Sequence, residues 1–171
     1  MATRLWLIGM MGSGKTSVGE EVARRLGVDF IDTDVLITSL GGRSIPDIWA
    51  EDGEEEFRSL ESQMVQSAAE HGDAVIATGG GVVLSGDNID IMRSSGPVVW
   101  LSASPQTMAK RVGRVGGRPL LPDEDDPEAA LSRILVEREA AYRSAADHIV
   151  TTDGRPIAEI AQEVVDVCLD S

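Results

Sequence analysis

Gly9, Gly14, Lys15 and Thr16 stand in the spacing G-x-x-x-x-G-K-[ST], directly after the apolar run Leu5-Trp6-Leu7-Ile8. Glycines in such a loop let the backbone curl so that successive N–H groups point inward at phosphate oxygens. A lysine at position 15 can reach β- and γ-phosphates, and a threonine hydroxyl at position 16 can ligate Mg²⁺. A strand before the loop and a helix after it supply the context this chemistry needs. A bare glycine-rich turn is the competing reading, and that context disfavours it. The chain therefore reads as a nucleotide binder.

Further residues bear on what the nucleotide is used for. Asp32 and Asp34 sit one residue apart at the expected end of a strand, at the carboxyl edge where open α/β sheets bind ligands. The functional reading splits them: one helps hold Mg²⁺ through water, and the other accepts a proton from a substrate hydroxyl. The alternative makes them polar turn or N-cap residues. Arg138 falls in the middle of an apolar stripe formed by Leu131, Ile134, Leu135 and Tyr142. An inward guanidinium needs an anionic partner, either an internal carboxylate or a ligand carboxylate or phosphate. Arg58 lies at the flank of its helix's apolar face and, taken alone, reads as a solvated surface residue. Gly79-Gly80-Gly81 leaves a buried strand and allows close backbone approach to a ligand. Arg111, Arg114 and Arg118 flank or lie in a segment suited to closing over a phosphoryl group.

Hydrophobic periodicity outlines the elements that must position these residues. Residues 4–9 read as a buried strand and 15–26 as a helix. A short strand over 28–31 runs into Asp32-Thr33-Asp34, and Gly41-Gly42 break the chain beyond it. An amphipathic helix is predicted over 54–71, with Phe57, Leu60, Met64 and Ala68 inward. Strands at 74–77, 97–101 and 148–151 alternate with helices at 87–95, from Pro105, from Pro127 to about 145, and from Ile157 to the C-terminus. Residues 113–126, rich in Gly, Pro and acids, read as a mobile lid. Such alternation implies a parallel sheet covered on both faces.

A length of 171 residues suits one such domain. No apolar run is long enough to span a membrane, and no signal peptide is visible ahead of the first strand. The net charge of −14 argues against nucleic acid and anionic membranes as partners. It leaves room for a small anionic ligand held by local cations. Of the 15 basic residues only Lys15 and Lys110 are lysines, so the loop keeps a compact ammonium in a chain that otherwise uses arginine. The single cysteine, Cys168, reads as a small core residue and fits a reducing cytoplasm. Trp6, Trp49 and Trp100 read as core or site-wall residues.

In this order the pieces resemble the shikimate kinase family over almost the whole chain. The marks are Gly9 to Thr16, Asp32-Thr33-Asp34, Gly42-Arg43-Ser44-Ile45 leading to Glu56-Phe57-Arg58, Gly79-Gly80-Gly81, Arg118-Pro119-Leu120-Leu121, and Arg138 ahead of Tyr142-Arg143. The resemblance implies a three-layer P-loop kinase fold, with a five-stranded parallel sheet flanked by helices. It implies one domain over 1–171, with a substrate-binding segment at about 33–62 and a mobile lid at about 113–126. The activity implied is transfer of the γ-phosphoryl group of ATP to the 3-hydroxyl of shikimate, in aromatic amino-acid biosynthesis. By the same resemblance Thr16 and Asp32 serve Mg²⁺, and Asp34 holds the substrate hydroxyls and acts as base. Arg58 and Arg138 grip the substrate carboxylate, with Gly79, Gly80 and Gly81 at the ring hydroxyls. Gly12, Ser13, Gly14, Lys15, Thr16 and Ser17 cradle the phosphates, Arg118 closes over them, and adenine lies near Arg111 and Arg155-Pro156. A cytoplasmic monomer with no nucleic-acid or membrane partner is expected. A gluconate kinase, or a nucleotide-binding homologue without catalysis, stand as the other readings.

Overall fold

The computed structural model describes residues 3–112 and 126–169. Five strands form one parallel sheet: β1 Arg4–Ile8, β2 Asp29–Asp32, β3 Ala74–Ala77, β4 Val98–Ser102 and β5 His148–Thr151. Their order is β2-β3-β1-β4-β5, with Leu5 opposite Val75, Trp6 opposite Ile76 and Ile8 opposite Trp100. Apart from Arg4 and Ser102 at their ends, the central strands β1, β3 and β4 are apolar, because both faces of the sheet are covered. Leu5 and Leu7 pack with Val75, Val99 and Val150 against α1 Lys15–Leu26 and α7 Ile157–Leu169. Trp6 and Ile8 point the other way. They join Ile76 and Trp100 against α3 Ile45–Glu70, α4 Gly86–Ser95, α5 Pro105–Val112 and α6 Pro127–Ala145. No helix among the described residues is long and apolar enough to cross a membrane.

The element most at odds with the sequence expectation is α2, Thr33–Gly41. The pair Asp32/Asp34 does not lie together on a strand end. The strand stops at Asp32, whose carboxylate accepts from the N–H groups of Asp34 at 2.9 Å and Val35 at 3.3 Å. That cap satisfies the first orphan donors of a helix and turns the chain. Asp34 consequently lies in the first helical turn. A second difference is that α3 begins at Ile45, where Ser44 caps it through the Asp47 N–H at 3.2 Å. The helix expected from residue 54 is the part beyond a break at Gly53, whose φ of 86° interrupts the helical path. Ile37 of α2 packs with Ile48, Phe57 and Met64 of α3, so this pair of helices forms its own small core beside the sheet.

These connections put the β1 and β3 carboxyl ends side by side. The chain leaves β1 toward β2 and leaves β3 toward β4, in opposite directions across the sheet. A crevice opens at that reversal, and both glycine segments emerge into it.

Candidate active site

The loop from β1 to α1 turns through Gly12 (φ 77°) and Gly14 (φ 95°), a left-handed conformation in which a side chain would be strained. The Lys15 ammonium donates to the carbonyls of Gly9 at 2.6 Å and Met10 at 2.9 Å, so it lies over its own loop. The Thr16 hydroxyl donates to Asp32 Oδ2 at 3.2 Å. Asp32 therefore uses one oxygen toward the loop and the other to cap α2. Ser13 is fully buried in the loop. A cavity of about 290 Å³ opens here, lined by Gly12, Gly14, Lys15, Thr16 and Ser17 from the loop. Asp32, Asp34, Thr78, Gly80 and Arg111 complete the wall.

The far wall is tied together by hydrogen bonds. Arg111 Nη1 donates to the Gly12 carbonyl at 3.1 Å and to the Thr152 hydroxyl at 3.2 Å, while Nη2 donates to the Thr152 carbonyl at 3.2 Å. Burial alone would raise the neighbouring Asp153 carboxyl. Hydrogen bonds from Thr107 and Ser104, with the Arg111 charge, outweigh it and hold the group low. Arg155 is directed elsewhere. Its guanidinium meets Glu159 at 2.9 Å and Glu163 at 2.6 Å, and Nη1 donates to the Thr151 carbonyl at 2.8 Å. Neither Arg155 nor Pro156 lines the cavity. Arg114, Arg118 and the expected lid up to residue 125 lie outside the described residues.

Beyond the cavity the Gly79–Gly81 segment joins the loop to a second group of side chains. A Cβ added at Gly79 would stand 2.8 Å from Glu61 Oε2 and 2.9 Å from Asp34 Oδ1. One added at Gly80 would stand 3.6 Å from Arg138 Nη1, and one at Gly81 would overlap the Arg58 guanidinium. Absent side chains at these three positions thus let Asp34, Arg138 and Arg58 converge on the backbone that leaves β3.

Arg58 corrects its sequence reading as a solvated surface residue. Its side chain is only 22 % exposed, and Nη1 donates to Glu61 Oε1 at 2.9 Å. Its guanidinium carbon lies 5.6 Å from the Trp49 ring centroid and 5.3 Å from that of Phe57. The cause is Glu61 itself. It is 1 % exposed and one turn along the same helix, so it draws the guanidinium inward. Burial pushes the Glu61 carboxyl above its ordinary range. Asp34 adds to that push, and Arg58 and Arg138 oppose it.

Arg138, 7 % exposed, is inward as its place in the apolar stripe requires. Tyr142 lies one turn further along α6 and is fully buried, with its ring stacked on Trp100 at 5.5 Å and 18°. Its hydroxyl donates to the Gly80 carbonyl. Burial drives its pKa up to about 12, against the opposing charge and hydrogen bond of Arg138, so the phenol keeps its proton at neutral pH. Sequence reasoning misses both Glu61 and the Tyr142 hydroxyl. For Glu61 a signal exists. It falls between Phe57, Leu60 and Met64 in the apolar stripe of its helix, the same argument that singles out Arg138.

The arrangement offers phosphate donors on one side and the half-buried Arg58 and buried Arg138 guanidiniums on the other, with a carboxylate between them. Comparison with known proteins agrees with that chemistry. A family model described as "Shikimate kinase" matches residues 11–169. A shikimate kinase of Moorella thermoacetica is 42% identical over 164 residues, spanning 96% of this chain and 93% of the relative. One from Caldanaerobacter subterraneus is 43% identical over 93% of this chain and 92% of its own length. Among solved structures, shikimate kinase from Acinetobacter baumannii in complex with shikimate superposes with a TM-score of 0.95 at 32% identity, covering 99% of this chain and 94% of that one. A gluconokinase from Sinorhizobium meliloti, 18% identical with a TM-score of 0.56, shares the fold alone.

Proposed function

Because the chain belongs to the shikimate kinase family, we infer that it transfers the γ-phosphoryl group of ATP to the 3-hydroxyl of shikimate, releasing ADP and shikimate 3-phosphate. The observation that carries this reading is the Gly79–Gly81 segment. It places Asp34, Arg58 and Arg138 around one stretch of backbone whose middle residue also lines the phosphate-loop cavity.

Such a transfer needs alignment and charge neutralisation more than covalent chemistry. Arg58 and Arg138 bind the acceptor's carboxylate and fix its ring, with backbone groups at Gly79, Gly80 and Gly81 meeting ring hydroxyls. Asp34 accepts the 3-hydroxyl proton as that oxygen bonds to the γ-phosphorus. The bond from that phosphorus to the β-bridging oxygen breaks, and ADP leaves. Lys15 moves from the Gly9 and Met10 carbonyls to the phosphates, and Arg118 adds a second cation there. Gly12 to Ser17 cradle the phosphates, and adenine lies toward Arg111 and the turn at Arg155-Pro156.

Mg²⁺ fits the pair Thr16 and Asp32, hard oxygens 3.2 Å apart at the mouth of the loop. No cluster of three His, Cys, Asp or Glu residues suited to a metal stands among the described residues. A phosphate-bound Mg²⁺ needs only one or two protein oxygens and takes the rest from phosphates and water. Thr16 would ligate it directly and Asp32 through water. Bound there, it would neutralise charge on the phosphates. We place the enzyme in the cytoplasm as a monomer, with an acidic surface that disfavours nucleic acid and membranes.

The test is ATP-dependent ADP release with shikimate, quinate, gluconate or no acceptor. Turnover with shikimate alone is expected. Turnover with gluconate instead would keep the phosphate chemistry and overturn the acceptor site. ATP binding without turnover on any acceptor would mark a non-catalytic homologue.

A further inference from the structure

We propose that Tyr142 is a positioning residue for the acceptor substrate, its hydroxyl fixing the Gly80 carbonyl and the Arg138 guanidinium in one arrangement. The inference rests on the reading of Arg138 and Gly80 as acceptor-binding groups. Three carbonyls have to be held in the glycine segment. Those of Gly79 and Gly81 accept from the backbone N–H groups of Val82 at 3.3 Å and Leu84 at 3.0 Å. The Gly80 carbonyl, between them, accepts from Tyr142. Three consecutive glycines have no side-chain packing to resist rotation of their peptide units. Without the tyrosine the Gly80–Gly81 unit is the one left to turn.

The tyrosine is itself a fixed point. It is fully buried, its ring is stacked on Trp100, and the Arg143 guanidinium carbon lies 5.5 Å from that indole's centroid. Arg138 precedes it by one helical turn, the separation at which side chains on α6 meet. A hydroxyl has one proton and two lone pairs, so with its proton given to the Gly80 carbonyl it can still accept from the guanidinium, whose Nη1 stands 3.6 Å from a Cβ built at Gly80. The positive charge polarises the O–H and strengthens the bond to Gly80. Arg138 and the glycine backbone are thereby set with respect to each other before any substrate arrives.

The test is Tyr142→Phe, which keeps the ring and its stacking and deletes the hydroxyl. The KM for shikimate should rise about tenfold, the scale of one hydrogen bond to a charged group, with the KM for ATP within twofold of the parent. A purely structural role would lower thermal stability and kcat and leave the ratio of the two KM values unchanged, which would overturn the proposal. Arg138→Ala is measured alongside. If it weakens shikimate and Tyr142→Phe does not, the positioning role fails and the carboxylate clamp stands. If neither variant changes the KM for shikimate, both readings fail together.

Discussion

Alanine placed in turn at Gly79, Gly80 and Gly81 tests the acceptor site most directly, because the structure ranks the three outcomes. None of these glycines has a left-handed φ, so alanine is acceptable to the backbone and any effect is steric. At Gly80 the new methyl meets nothing nearer than 3.6 Å, an ordinary contact. At Gly79 it stands 2.8 Å from Glu61 Oε2 and 2.9 Å from Asp34 Oδ1, so about half an ångström must be found on both sides. Glu61 yields less readily than Asp34, being buried and bonded through Oε1 to Arg58 at 2.9 Å. The strain falls on Asp34 and the start of α2. Overpacking of this kind costs about 1–3 kcal/mol, which in a chain of this length lowers Tm by roughly 3–10 °C. The displaced Asp34 should raise the shikimate KM at least tenfold. At Gly81 the methyl would overlap the Arg58 guanidinium. That group is the end of a flexible side chain, so the expected result is its expulsion from Glu61, with a kinetic defect like that of Arg58→Ala and a smaller loss of Tm than at Gly79. Differential scanning fluorimetry and steady-state kinetics on the three variants decide the matter. A Gly79→Ala protein as stable and as tight for shikimate as the parent would refute the convergence of Asp34 and Glu61 on this backbone, as would a Gly80→Ala protein less stable than Gly79→Ala.

Asp34→Asn should lower turnover by roughly a hundredfold or more, the scale of a general base, while ATP affinity measured by titration stays within a few-fold. Asp32→Ala removes both the cap of α2 and the Thr16 contact, whereas Asp32→Ser can still cap. Both should lose activity, and the serine variant should melt a few degrees higher, since an N-cap is worth about 1 kcal/mol. Tyr142, the one tyrosine in the chain, sets an alkaline limit. Its folded pKa of about 12 lies above the ordinary 10, so between those values the unfolded chain loses a proton that the folded one keeps. The contribution of Tyr142 is therefore intact below pH 10 and falls as pH rises toward 12, by up to roughly 3 kcal/mol. Urea midpoints from pH 10 to 11.5 should fall more steeply in the parent than in Tyr142→Phe, which keeps the decline contributed by Cys168, whose thiol is pushed up to about 11 by burial.

The phosphate loop, the strand-helix alternation and the inward face of Arg138 are legible in the chain because each depends on a local period or spacing. Lys15 and Thr16 are placed by the loop that contains them, and Arg138 by the stripe of its own helix. Glu61 is legible by the same rule, although an acid in an apolar stripe draws less notice than an arginine there. Local pattern cannot supply anything set between distant segments. Asp32 alternates correctly with Asp34 for a strand end, yet the strand stops there and Asp32 caps a helix, since the sheet offers no further partner and the cap satisfies two N–H groups at once. Arg58 looks solvated from its helix alone. It becomes part of the site through a buried acid one turn away and the aromatic wall of Trp49 and Phe57. Tyr142 counts only as an apolar residue until α6 is laid against the backbone leaving β3, some sixty residues earlier in the chain. The sequence by itself determined the loop pattern from Gly9 to Thr16 and the strand and helix that flank it. Tertiary structure alone decided that Asp34, Arg58, Arg138 and the Gly79–Gly81 backbone meet, because they come from four elements whose meeting point is a property of the packed sheet edge and of no single segment.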